Sequence, residues 1–593
     1  MAMVTPVEES LTRSAPRAEE DRPDRGRWVA IAVLAVLTIQ FVSVSAWQAW
    51  RDSPTVDEPV HMATGLAALR EREVRLNIEA PMFPKAVNAL PLLVARVSLP
   101  LDGMWSHVTE LGPDELTGFE WAALTNEFES LHLERGDYQR VVFLGRIMPI
   151  VEGALIGLVL FALGSALFGR AAGLLAAALW LTTPLAVGFS HLNGLDLAFT
   201  LAVLAACLAL ERHVRRPTKI TLAWLAAACG LVMLVRYTGV LIVGAIAIGL
   251  LLAPRPGGSR RAAVTDVAVI VVAAWALVWV GTLVVAPGSG SIPYWTGTVG
   301  SGPVTRTASR VVDVIPWPKS YKLGFQFQIA ASPLESPAYL MGQSWRGVRW
   351  WFWPVTLAVK LPLAALAVAV LGPIAWCRLD RATVRRAATV LLPSLVVLVV
   401  FLLPFPKQVG IRYALPVVAL LLVVGSPVAR WLVASRPRWA LVALLLVVQL
   451  ASFWEAVPHS LAWTAPPFRP GYAVAAESSL DWGQDNWSLI EWMDGRTVFA
   501  APFGGSLEAV HKTPGYRDLL TTEPTDVRGL AAASVTELTT YHRDQLSWLR
   551  AYCHIGTIGG SILLYRFEQP PTPEPGPSRP VGRCSGDVSV RTE

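Results

Sequence analysis

The sequence predicts a polytopic α-helical membrane protein of about eleven transmembrane helices, with a large first extracytoplasmic loop and a small C-terminal extracytoplasmic α/β domain. Three observations predict it. Hydrophobic residues make up 53% of the chain and charged residues only 16%, and the apolar residues fall in long blocks that no soluble core requires. Basic residues gather in alternate short connections between those blocks, as they do in cytoplasmic loops. The segment after the last block mixes strand-like runs, such as 561–565, with helix-like ones.

Residues 1–27 are polar, charged and rich in Arg, Glu and Pro, and read as a disordered cytoplasmic tail. The transmembrane part covers 28–457. Its first block, Trp28 to Trp50, is too long for the core of a cleaved signal and lacks a small-residue cleavage site. It reads as an uncleaved first span. Further spans are expected near 142–168, 171–189, 195–211, 220–235, 238–253, 263–286, 352–376, 387–404, 411–428 and 439–457. At 168–171 and 235–238 the alternative is one long, kinked helix. Arg212, Arg215, Arg216 and Lys219, then Arg255, Arg260 and Arg261, then Arg378, Arg381, Arg385 and Arg386, then Arg430, Arg436 and Arg438 all fall on the side of the amino-terminal tail. The positive-inside rule makes that side cytoplasmic. An odd number of spans then puts a catalytic loop (51–140), a second large loop (287–350), the α/β domain (458–568) and a Pro-rich disordered tail (569–593) outside the cytoplasm.

Within the first loop, 59–72 and 85–99 carry apolar residues at helical spacing and suit helices lying on the bilayer. The acidic run 101–137 reads as a solvated face. The stretch 345–353 is aromatic and basic, an interfacial belt or a lipid-phosphate contact. The formal charge of +6 does not point to nucleic acid, because most basic residues sit in the orientation loops. The five cysteines form no metal pattern. Cys207, Cys229 and Cys377 read as small apolar filler, and Cys553 and Cys584 lie outside, where an oxidising compartment permits their pairing.

The chemistry centres on Thr55-Val56-Asp57-Glu58-Pro59-Val60-His61-Met62, directly after the first span. Asp57-Glu58-Pro59 is also how a helix begins, with an acidic cap and proline in the first turn. Asn77-Ile78-Glu79-Ala80-Pro81 and Lys85 follow close behind. His191 and Asp196, Arg236 with Tyr237, and Arg412 with Tyr413 mark outer ends of spans, while Lys360 lies inside one, where snorkelling is the alternative. Ionisable residues at these depths are functional by default. Their convergence on one face favours a site over a simple cap at Asp57 and Glu58.

These residues resemble a family. An Asp-Glu pair after the first span, Asn-x-Glu-x-Pro with a following Lys, and an external His…Asp before the fourth span are similar to the C-type membrane glycosyltransferases (GT-C). The closest match among them is glycosyltransferase family 39, which includes the protein O-mannosyltransferases and is related to the aminoarabinose lipid A transferases. Tyr339-Leu340-Met341-Gly342, Trp353-Pro354 with Lys360-Leu361-Pro362, Gly410-Ile411-Arg412-Tyr413-Ala414-Leu415-Pro416 and Asp481-Trp482-Gly483-Gln484-Asp485 extend the resemblance over 28 to about 566. It implies a polyprenyl-phosphate-linked sugar donor reached from the membrane lipid, and transfer outside the cytoplasm. The acceptor is a protein, a polysaccharide or a glycolipid. Members usually carry Glu-His-Pro-Pro where this chain has Glu79-Ala80-Pro81-Met82, so no metal and no other cofactor is expected.

A sugar on a lipid phosphate carries its own leaving group. The protein must supply a carboxylate to take the acceptor's proton and cations to hold the phosphate. Asp57 with Glu58 is the expected catalytic pair, and Arg412, Lys85, Lys360 and Arg346 are the expected phosphate partners, beside Glu79, His191, Asp196, Arg236 and Tyr413 in the donor site. The readings from other classes are a transporter or lipid flippase, and a membrane scaffold without catalysis.

Overall fold

The computed structural model describes residues 25–72, 74, 76–101, 118–253, 260–285, 303–331, 335–405 and 407–571. Most of the expected cytoplasmic tail, acidic positions 102, 110, 114 and 115, residues 287–302 and the Pro-rich stretch from 572, with Cys584, lie outside the described residues.

Each segment read as a span is helical, but the helices differ in kind. Among the described residues, seven are long and apolar enough to cross a membrane: α1 (Arg25–Arg51), Tyr138–Phe168, Asp196–Arg215, Arg260–Val285, Arg381–Leu402, Ile411–Leu432 and Trp439–Ala456. The expected span at 171–189 is instead two helices, Arg170–Leu181 and Pro184–Ser190, bent by 60°. Thr182 and Thr183 turn their hydroxyls back onto the carbonyls of Ala178 and Leu179, and Pro184 has no N–H to continue the ladder. The expected span at 352–376 breaks in the same way at Leu361-Pro362, between helices Phe352–Lys360 and Leu363–Leu371. Lys219–Val235, Gly239–Leu252 and Leu363–Arg378 are apolar but shorter, so helix length does not set the number of crossings at eleven. The two doubtful junctions are breaks. Gly169 at φ 95° separates Phe168 from Arg170, a conformation that glycine adopts without strain, and Arg236 leaves the helix in an extended conformation.

The first loop packs against protein rather than lying on a surface. Helix α2 (Glu58–Arg70) is buried along most of its length, from Glu58 to Val60 and again from Met62 to Ala68. Its small residues Ala63, Gly65, Ala67 and Ala68 allow neighbours on every side, so the one-sided face expected of an interfacial helix is absent. The second amphipathic stretch divides into α3 (Met82–Asn88) and α4 (Leu90–Val94), the latter keeping Val94 exposed.

The C-terminal region holds a five-stranded mixed sheet in the order β4-β3-β5-β7-β6, formed by β3 (Val498–Ala501), β4 (Tyr516–Asp518), β5 (Gly529–Ser534), β6 (Gly556–Ile558) and β7 (Ile562–Phe567). The central strands are buried on both faces. Ala531, Ala533, Leu563 and Tyr565 enter one apolar cluster, while Ala532, Ile562 and Leu564 enter another, as the two-residue period of a strand requires. A hairpin of β1 (Pro337–Leu340) and β2 (Gln343–Arg346) reaches this region through a bridge between Leu340 and Ala475.

The sequence expectation of an outer C-terminal domain has a direct check. A topology reporter fused after Val457 is expected to be active outside the cytoplasm and one fused at Arg215 inside. Protease protection that puts 458–571 on the cytoplasmic side would reject this topology.

Candidate active site

The site is built around one buried ion pair. Arg146, eight residues into the Tyr138–Phe168 helix, is fully buried and uses all its N–H donors. Its Nε and Nη2 donate to Glu58 Oε1 and Oε2 at 2.8 and 2.7 Å. Nη1 donates to the Ala49 and Asp52 carbonyls, and Nη2 also to that of Ser53. Glu58 accepts two further N–H groups, Thr55 at 2.7 Å and Asn193 at 2.6 Å. Burial opposes its ionisation, but Arg146 and these N–H groups outweigh burial and hold the carboxyl below the usual range. The expected catalytic role of Glu58 is therefore corrected: its carboxylate is consumed structurally and does not line the cavity described next.

Asp57 points the other way. It occupies the N-cap position of α2 without any side-chain cap hydrogen bond, so capping does not explain it. Instead Oδ2 accepts a 2.5 Å hydrogen bond from Arg412 Nη1. Burial favours the neutral acid, yet Arg412, with His61 and Lys407, outweighs it and holds the Asp57 carboxyl below the usual carboxylate range. Arg412 is itself set in place from three sides. Gly410, at φ 141°, approaches Ser478 so closely that a Cβ would meet its Oγ at 2.2 Å, and the Arg412 guanidinium lies over the rings of Trp482 and Tyr413 at 4.6 and 5.0 Å. Tyr413 also faces Arg236 at 5.1 Å, and Arg236 Nη1 donates to Asp196 Oδ1 at 2.5 Å.

These groups line one cavity of about 380 Å³. Asp57, Glu79, Asp196, Arg236, Arg412 and Tyr413, separated by up to 356 positions in sequence, meet there as expected. Its other wall is apolar, with Leu195, Val240, Leu241, Phe401 and Phe405. A smaller space of about 60 Å³, lined by Phe199, Ile242, Val397 and Leu398, shares Leu241, Phe401 and Phe405 with it.

Besides Glu58, four expected residues do not reach this cavity. Lys85 is fully buried and donates to the Asn77 carbonyl and side chain at 2.6 and 2.5 Å; burial pushes its amine down to about 7, against the pull of Glu79 and Asp57. His191 faces Asp52, with Nε2 2.9 Å from Oδ2. Lys360 does not snorkel: its Nζ donates to the carbonyls of Leu461, at 2.7 Å, and Trp463. Arg346 is exposed on β2. Lys85 found its acceptor in the neighbouring Asn77, whereas Lys360 and His191 found theirs in segments far away in sequence.

Lys407 and His61 are cavity residues that sequence reasoning did not place. For Lys407 the available signal was a lysine just before Arg412 at the same helix end. Arg146 was also overlooked, although an arginine inside an apolar block is costly enough to mark it. The 481–485 motif has a supporting role. Ser53 binds both Gly483 and Gln484, and the Val56 N–H reaches the Trp482 carbonyl, so this segment braces the turn that presents Asp57. Among the described residues, no group of three or more His, Cys, Asp or Glu is arranged to hold a metal ion.

Fold and site together define a multi-helical membrane protein with a charged cavity at the ends of its helices. Residues 139–282 match the family model of the dolichyl-phosphate-mannose-protein mannosyltransferases, which bears out the resemblance to C-type membrane glycosyltransferases. That segment contributes Asp196, Arg236 and Tyr237 but not Asp57 or Arg412. No curated protein matches the sequence. Among solved structures, the chain is similar to the oligosaccharyltransferase AglB from Archaeoglobus fulgidus, in complex with an inhibitory peptide and a dolichol-phosphate, at 11% identity and a TM-score of 0.48, over 88% of this chain and 71% of that one. It is also similar to ArnT from Cupriavidus metallidurans bound to undecaprenyl phosphate, at 14% identity and a TM-score of 0.31, over 91% and 97%.

The two acidic neighbours are expected to respond differently to mutation. Glu58→Gln leaves Arg146 buried without its counter-charge and is expected to cost about 3–5 kcal/mol, read as a large fall in thermal unfolding temperature in detergent. Asp57→Asn keeps an acceptor for Arg412 and is expected to unfold near the wild-type temperature. Equal stability of the Glu58→Gln and wild-type proteins would remove the buried pair from this role.

Proposed function

We propose that the protein transfers a sugar from a polyprenyl-phosphate donor to an acceptor hydroxyl on the extracytoplasmic face, with inversion. The observation that carries this reading is the cavity in which Arg236, Lys407 and Arg412 meet Asp57 beside an apolar wall. A lipid-linked sugar phosphate needs that combination: apolar surface for the isoprenoid, cations for the phosphate and an anion near the reacting carbon. Arg412 retains a buried Nε–H without a hydrogen-bond partner, and Lys407 is in no ion pair among the described residues. Both keep donor capacity that no protein acceptor uses, and a planar guanidinium suits a two-pronged grip on phosphate. The family match over 139–282 supports the same donor class.

The phosphate leaves as the acceptor oxygen arrives, so charge builds on the phosphate while the sugar becomes oxocarbenium-like. Arg412 faces the first charge and ionised Asp57 balances the second. A single displacement inverts the anomeric carbon. A protein, polysaccharide or glycolipid acceptor would enter from the aqueous side.

The decisive experiment offers purified membranes a panel of radiolabelled polyprenyl-phosphate sugars and follows label into each acceptor class. Transfer from none of them, in membranes containing folded protein, would sink this reading. Arg412→Ala is expected to weaken donor use by about 2–4 kcal/mol, seen in kcat/KM for the donor. Asp57→Asn is expected to slow transfer by roughly 10²- to 10⁴-fold at unchanged thermal stability. A near wild-type rate in the Asp57→Asn protein would take Asp57 out of the reaction.

A further inference from the structure

The acceptor hydroxyl must lose a proton, and from sequence that proton falls to Asp57. The structure gives Asp57 a different engagement. Its Oδ2 is bound to Arg412 at 2.5 Å, which makes it a dependable anion and a weak proton acceptor. His61 lies one helical turn further along α2, its N–H donating to the Asp57 carbonyl at 3.1 Å, so both side chains sit on one face of the helix. The His61 ring also lines the cavity.

The orientation of that ring is determined. Nδ1 lies 2.9 Å from the Asn193 carbonyl oxygen. A carbonyl only accepts, so Nδ1 carries the hydrogen and the neutral ring presents its lone pair at Nε2. Nε2 has no hydrogen-bond partner among the described residues. Asn193 is in turn held by its N–H to Glu58. A ring fixed at one nitrogen by a backbone carbonyl and open to a cavity at the other is built to accept a proton.

We propose that His61 Nε2 takes the proton of the acceptor hydroxyl, while Asp57 holds Arg412 and stabilises the imidazolium that forms. The proposal rests on the glycosyl-transfer reading above. In the step, the acceptor O–H breaks towards Nε2 and the oxygen forms the new bond to the anomeric carbon. The bond from that carbon to the phosphate oxygen breaks with its electron pair on the phosphate, which Arg412 faces. The imidazolium then releases its proton to water.

Charged groups face His61 from every side. Asp57 lies on its own helix, and Glu79 and Lys85 come from the segment that follows. Asp196 and Arg236 come from the helix ends across the cavity, and Lys407 and Arg412 from between the Arg381–Leu402 and Ile411–Leu432 helices. Burial is the largest influence and lowers the basicity of the ring. Asp57 and the Asn193 carbonyl oppose burial, and Lys85 and Arg412 add to it. The ring is therefore neutral at neutral pH. Because it must be unprotonated to act, activity falls as pH drops through a value below the ordinary histidine value of about 6.5.

The test is kcat/KM against pH for the full-length protein in detergent, which reports the free enzyme's essential base. The wild type is expected to lose activity on an acidic limb below the ordinary histidine value of about 6.5, where a base at Asp57, whose carboxyl is held below the usual carboxylate range, would stay active to lower pH. His61→Gln is expected to lose roughly 10²- to 10⁴-fold in kcat with the donor KM unchanged, and to lose the limb. Added imidazole is expected to restore part of the rate to His61→Ala. A His61→Gln protein that keeps the limb overturns the proposal, whatever its rate. If both His61 variants fail to fold, the wild-type profile and Asp57→Asn decide: a limb near the histidine range that moves to lower pH in Asp57→Asn supports His61, because Asp57 raises the basicity of the ring, and a wild type without that limb assigns the base to Asp57. Absence of transfer in the wild type would defeat the glycosyl-transfer reading instead, so the two failures are distinguishable.

Discussion

The arrangement of this site depends on a charge pair that takes no part in the cavity. Arg146 and Glu58 are both fully buried, which is favourable only when every donor and acceptor is matched. Here the five donors of the guanidinium meet the Glu58 carboxylate and the carbonyls of Ala49, Asp52 and Ser53. One residue on the Tyr138–Phe168 helix thereby fixes the end of α1, the turn after it and the start of α2. Through Glu58 the same pair reaches the Asn193 N–H. Neighbouring residues at the start of a helix project in different directions, so once Glu58 is drawn inward to Arg146, Asp57 is turned out to Arg412.

That dependence explains what the sequence could and could not reveal. The helices were legible because blocks of apolar residues are a property of the chain alone. Their breaks at Thr182-Thr183-Pro184 and Leu361-Pro362 were less so, since proline inside an apolar block is tolerated when its surroundings satisfy the freed carbonyls. Pro149 and Pro393 lie within unbroken helices and show that the residue type by itself does not decide. The α2 segment was misread for a related reason. Apolar periodicity reports that a face is buried without saying whether lipid or protein covers it.

The site divides along the same line. Asp57, Asp196, Arg236 and Arg412 stood at the ends of recognisable helices, and a charge at a helix end with no local partner must find one across the molecule. Lys85, Lys360 and His191 are ionisable residues of the same face, yet their partners are Asn77, the 461–463 carbonyls and Asp52. The difference between the two groups lies in tertiary distance, which one sequence does not encode in any local pattern. Asp57 and Glu58 make the point most sharply. They are adjacent carboxylates in one helical turn, and only the position of Arg146 assigns one to the scaffold and the other to the cavity.

The charges in the cavity are balanced in a way that bears on how a phosphate would enter. Arg412 leans on Asp57 and Arg236 on Asp196, so neither cation faces an apolar wall uncompensated. Both pairs are single-pronged in the contacts they make, unlike the two-pronged grip between Arg146 and Glu58. Each guanidinium therefore keeps N–H donors that its carboxylate does not use. The cations then pay little to change partners, because stacking on Tyr413 and Trp482 holds the Arg412 plane in position throughout. The bidentate pair builds the turn and the single-pronged pairs leave donors to share: one ion-pair chemistry serves as scaffold or keeps donors in reserve according to how many of them are already spent.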